Sequence, residues 1–137
     1  MLIKARETFY SMKAVPNGLK NWFIVHIVAD LLFGIPLFLF PTKFLSYLYW
    51  SWSPIDPLAS RIVGAALIAI AVLSYYCNRS NNVEVFRVAL KFKSVWGSLA
   101  FLATAYAAFA GGSPFVWFGA LVFLVFAIVW NWYRTRL

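Results

Sequence analysis

One cysteine, one histidine and four acidic residues are all that this 137-residue chain offers to thiol, metal and acid–base chemistry. A single Cys77 excludes an intramolecular disulfide, a thiolate metal cluster and a C-x-x-C redox pair. A single His26 excludes a multi-histidine metal site within one protomer, and a bis-histidine haem would need its second ligand from another subunit. There is no nucleotide-binding glycine loop, no Ser-His-Asp set and no pair of carboxylates suited to acid–base work. No catalytic residue and no metal ligand is therefore assigned, and the reading favours a protein without a catalytic activity of its own.

Charge is scarce as well, and its placement is informative. Charged residues make up 12% of the chain and hydrophobic ones 64%. A soluble domain carries about twice that charge to cover its surface. Four stretches, 22–40, 58–77, 94–110 and 114–133, hold almost no ionisable side chains. Each is about long enough, at ~1.5 Å per residue, to cross a ~30 Å hydrocarbon core as a helix. The expectation is a single transmembrane domain, an all-α four-helix bundle in the cell membrane.

What charge there is sets an orientation. Ten of the twelve Lys and Arg fall in the amino-terminal segment, the loop 78–93 and the carboxyl end, all on one side of such a bundle. The other side holds only Lys43 and Arg61. This bias predicts that both termini are cytoplasmic. It also accounts for the net charge of +8, which in a soluble chain would point to nucleic acid. The partners it predicts are the bilayer and anionic lipid head groups at the inner face, not nucleic acid. Residues 1–20 mix Lys4, Arg6 and Lys13 with Phe9, Tyr10 and Met12, the pattern of an amphipathic segment on the inner surface.

Between the first two spans lies an aromatic segment that includes Tyr47, Trp50 and Trp52. Tyr and Trp prefer the headgroup level, so this segment is expected at the outer interface, as an anchor for the bundle or as a lid over a lateral pocket. Small residues recur along span two (Gly64, Ala65, Ala69) and span three (Gly97, Ala100, Thr104, Ala108). Such spacing lets backbones approach closely, so these two spans are expected at the centre of the bundle. The turn Gly111-Gly112-Ser113-Pro114 predicts a tight hairpin between spans three and four.

Asp30 is the residue that most needs an explanation, because a carboxylate in mid-span is costly by several kcal/mol. His26 lies four residues earlier on the same helical face. Arg61, near the outer end of span two, is the second candidate partner, and an Asp30–Arg61 pair would lock spans one and two together. A hydrogen bond across helices to Ser74, Tyr75 or Thr104 is a purely packing alternative. An Asp30–His26 pair could relay a proton or hold a polar head such as a quinone carbonyl. Asp30, His26 and Arg61 are thus the candidate polar cluster.

The elements Asp30-Leu-Leu-Phe-Gly-Ile-Pro36, Pro41-Thr-Lys-Phe-Leu45 and Asp56-Pro-Leu-Ala-Ser-Arg-Ile-Val-Gly-Ala-Ala-Leu67 resemble the first half of small four-span proteins of the broad DoxX-like group. The likeness covers roughly residues 30–67. It implies a membrane subunit, in some relatives one linked to quinone oxidoreductases, with Asp30, Arg61 and Gly64 as the positions to watch. Two functions follow. The first is a membrane subunit or binding module that holds an apolar ligand, lipid or quinone, or a partner helix, within a homo-oligomer or a larger complex. The second is a homo-oligomeric channel or transporter with Asp30 in its path.

Overall fold

In a computed structural model, which describes residues 14–48 and 57–137, the chain is all-helical. Among the described residues there are five helices: α1 (Asn17–Leu39), α2 (Pro41–Leu48), α3 (Pro57–Arg79), α4 (Val83–Phe109) and α5 (Pro114–Arg134). Three of them, α1, α3 and α5, are long and apolar enough to cross a membrane.

Local chemistry sets the ends. Pro16 caps α1 in extended backbone and its carbonyl accepts from the Leu19 amide at 3.0 Å. The helix therefore begins at Asn17, five residues before the apolar run, and Leu19 joins the buried row that continues through Phe23, His26, Asp30 and Gly34. Asn82 caps α4, its side chain accepting from the Glu84 amide at 2.9 Å. That cap overturns the expected loop 78–93. Only residues 80–82 are non-helical there, and Arg87, Lys91 and Lys93 lie on α4. The third apolar run is the second half of a 27-residue helix, which is not among the three helices apolar enough to span. At the opposite end, Gly111 turns the chain with φ +96° and Pro114 starts α5.

The helices associate as two close pairs, α1 with α3 and α4 with α5, while α3 and α4 barely touch. This corrects the expectation that spans two and three form the centre. Gly64 of α3 meets Gly34 of α1, and Gly97 of α4 meets Ala127 of α5. A small-residue row permits a close approach but does not name its partner. Between the pairs, at the end where α1 begins and α5 finishes, a dense cluster of Leu19, Phe23, Cys77, Phe86, Leu90, Phe126 and Trp130 fills the interior. Lys20 Nζ donates to Asn81 Oδ1 at 2.8 Å and ties the start of α1 to the α3–α4 turn.

Candidate functional site

The interior is filled where α1 begins and α5 finishes, and hollow at the other end. A cavity of about 250 Å³ lies beyond the cluster, walled by all five helices. Interiors close-packed like organic crystals leave few voids larger than a water molecule, and a 150 Å³ apolar cavity already holds benzene. Phe33 of α1, Phe44 of α2 and Phe115 of α5 border it, and Phe33 meets the other two with ring centroids 6.1 and 6.3 Å away. Leu45, Leu67, Phe118 and Val122 complete an apolar wall, and Gly119 leaves open space beside it.

Polar groups gather where the filled and hollow parts meet. His26 and Asp30 border the cavity from adjacent turns of α1. His26 Nδ1 lies 2.7 Å from Asp30 Oδ2 and 2.9 Å from Lys93 Nζ of α4. His26 and Asp30, one turn apart on α1, thus form a buried ion pair. An ammonium only donates, so towards Lys93 the ring nitrogen accepts. One ring nitrogen thus stands between a cation and an anion that neutralise each other across it. Lys93 is fully buried, with its Nζ 5.1 Å from the ring centroids of both Phe23 and Trp130. Aromatic faces suit a desolvated ammonium. The His26 ring is itself wedged edge-on between Phe126 and Trp130, at 4.6 and 5.3 Å.

Trp96 and Thr104 of α4 add polar atoms to the wall. The Trp96 Nε1–H is buried without a partner. The Thr104 hydroxyl donates to the Ala100 carbonyl at 2.8 Å.

Of the expected cluster, the structure brings His26 and Asp30 together and leaves Arg61 out. Arg61 is exposed on α3, and no Asp30–Arg61 ion pair forms. The vertical offset explains this: Asp30 lies ten residues before the end of the first apolar run, or ~15 Å below the rim near which Arg61 sits. The packing alternatives fail as well, since Ser74 donates to the Ile70 carbonyl at 2.6 Å and Tyr75 accepts from Arg79 at 2.9 Å. The cation that does reach the site, Lys93, is one that charge counting assigns to a loop. The signal for it is helical period: Phe86, Leu90, Lys93 and Gly97 form one buried row. Of the aromatic segment, Tyr47 is exposed, and Trp50 and Trp52 lie outside the described residues. The residues of α2 that border the cavity are Phe44 and Leu45.

No protein-family model matches the chain, and neither does any curated protein or solved structure.

Proposed function

We propose that the protein is a small integral membrane binding module that holds an apolar ligand, of the lipid or quinone kind, by a polar head. The observation that carries this reading is the aromatic cavity bordered at one end by the buried His26–Asp30–Lys93 cluster. An apolar pocket of this size suits a ligand drawn from the bilayer, and a few polar groups at one end would fix its head. In this reading α4 crosses the membrane with the three more apolar helices, and both termini face the cytoplasm. Lys20, Arg79, Lys91, Arg134 and Arg136 then meet anionic head groups at the inner face. Assembly with a second copy or a larger membrane complex belongs to the same proposal.

Retention is the direct test. The chain purified in mild detergent is expected to carry an apolar molecule detectable by native mass spectrometry. Gly119→Phe, which enters open space beside the cavity, is expected to lose it. A wild-type chain that never carries such a molecule would contradict the reading. In liposomes, proton and potassium flux is expected to equal that of empty vesicles. Flux that disappears in Asp30→Asn would install the channel reading instead.

Orientation has its own test. Ala110→Cys is expected to react with an impermeant thiol reagent only from outside the cell, and Asn81→Cys only after the membrane is opened. Both positions are exposed. Gly112 is unsuitable for this purpose, because a Cβ there would lie 2.7 Å from the Ala107 carbonyl oxygen. Labelling of both cysteines from one side would refute the topology.

A further inference from the structure

We propose that the ligand carries one long apolar tail, and that this tail leaves the cavity through the crevice between α3 and α4, running towards the turn at residues 80–82. This rests on the binding-module reading and adds to it the shape of the ligand and its path. The class is a compact head on a single hydrocarbon chain.

The turn joins α3 to α4, yet the two helices barely touch. Two spaces lie along them. Outward from the turn, both helices border first a groove and then the cavity. On α3, Cys77 and Leu73 border the groove, and Leu67 and Val63 the cavity. On α4, Val88 and Phe92 border the groove, and Trp96 and Thr104 the cavity. From Leu73 to Leu67 is ~9 Å along α3, and from Phe92 to Trp96 ~6 Å along α4. Val88, Phe92 and Trp96, four residues apart, share one face of α4. Both spaces are open to the side. Val63, on the cavity wall, is 47% exposed, and Leu73, Val88 and Phe92 are exposed along the groove.

The chemistry of the two spaces divides the ligand between them. The groove, about 390 Å³, is bordered by apolar side chains, with Glu84 as its only charged residue. A polar head has nothing to meet along it. A hydrocarbon chain does, since a gap between helices forfeits dispersion contacts until other atoms fill it. The cavity has the polar floor of His26 and Asp30, and there the head belongs. From Leu67 to Cys77 the path measures ~15 Å, half of a ~30 Å hydrocarbon core and so the depth of one leaflet's chains. A phospholipid is disfavoured twice: its charged head would lie at mid-span, and it brings two chains to one crevice.

Affinity is a weak readout of a tail, because leaving lipid for an apolar groove gains little. The test therefore reads position. Two forms of 4-dodecylacetophenone are made, with a photoactivatable diazirine next to the ring or near the far end of the tail. Each is cross-linked to the full chain in phosphatidylcholine nanodiscs, and the adducts are mapped by mass spectrometry. The ring-proximal form is expected to label cavity residues such as Leu67 and Phe115. The tail-end form is expected to label Leu73, Val88 and Phe92 several-fold more than Leu32 of α1 and Ile128 of α5, which are exposed on other faces. Leu73→Trp with Val88→Trp, both at exposed positions, fills the groove. It is expected to abolish the tail-end labelling of Phe92 while the ring-proximal labelling of the cavity persists, which also shows that the variant is folded. Tail-end labelling spread evenly over the groove and the other faces, or unchanged by the double variant, overturns the tail path and leaves the binding module standing. An unlabelled groove in a chain that native mass spectrometry finds dimeric assigns the groove to a second copy and overturns the path as well. Ring-proximal labelling of the cavity no stronger than that of Leu32 and Ile128 overturns both.

Discussion

Lys93→Met is expected to destabilise the detergent-solubilised protein by about 3–5 kcal/mol, the usual cost of stranding one partner of a buried charge pair. Met matches the length of the lysine stem and can fill the space between Phe23 and Trp130. The loss is therefore electrostatic: Asp30, 6% exposed, is left without a compensating cation in the interior. Asp30→Leu is expected to be comparably harmful, because it strands the ammonium instead. The double variant is expected to cost far less than the sum of the two, and to approach the wild type. Cys77 gives a convenient readout, being the only cysteine and 2% exposed, so that a thiol-reactive dye reports unfolding. Additive losses would show that Asp30 and Lys93 act separately, and the description of one neutralised floor would be abandoned.

That pair marks the limit of what the sequence makes legible. The helices are legible because the apolar runs are long and end at turn residues such as Gly111 and Pro114. The His26–Asp30 contact is legible because residues four apart share a face. Lys93 is not legible from charge placement, which treats a cation beside Arg87 and Lys91 as a solvated loop. It becomes so only once Asn82 is recognised as a cap, which turns 83–93 into helix and drops Lys93 into the buried row of Phe86 and Leu90. Arg61 shows the converse. It is the only cation inside an apolar run, yet depth, not scarcity, decides which charges meet. The helix pairing is hidden for a different reason: Gly64 and Gly97 mark surfaces of close approach, while the partner is chosen by the fit of bulky side chains elsewhere.

The closeness of those approaches predicts a graded response to alanine. At Gly64 an added Cβ would lie 2.6 Å from the Phe38 nitrogen, 2.8 Å from the Gly34 carbonyl oxygen and 3.0 Å from the Leu37 carbonyl carbon. All three are backbone atoms, so no side chain can swing aside and α1 must move off α3. Gly64→Ala is expected to cost about 2–3 kcal/mol, the upper part of the range for overpacking. At Gly34 the nearest atoms lie at 3.1 Å, and two of them belong to the Ile68 and Leu67 side chains, so the cost is expected to be about 1 kcal/mol. At Gly119 nothing lies within 4 Å, and alanine there is expected to stabilise by about 0.5–1 kcal/mol through helix propensity alone. The order Gly64, Gly34, Gly119 in the midpoint of thermal unfolding is the checkable result; equal effects at all three would mean that α1 and α3 are not in backbone contact. The site should feel this too. Asp30 and Gly34 lie one turn apart on the same row of α1, so a shift of α1 away from α3 displaces the floor of the cavity relative to Leu67 on its wall. Gly64→Ala is thus expected to weaken ligand retention even at temperatures where it remains folded, whereas Gly119→Ala leaves the floor in place.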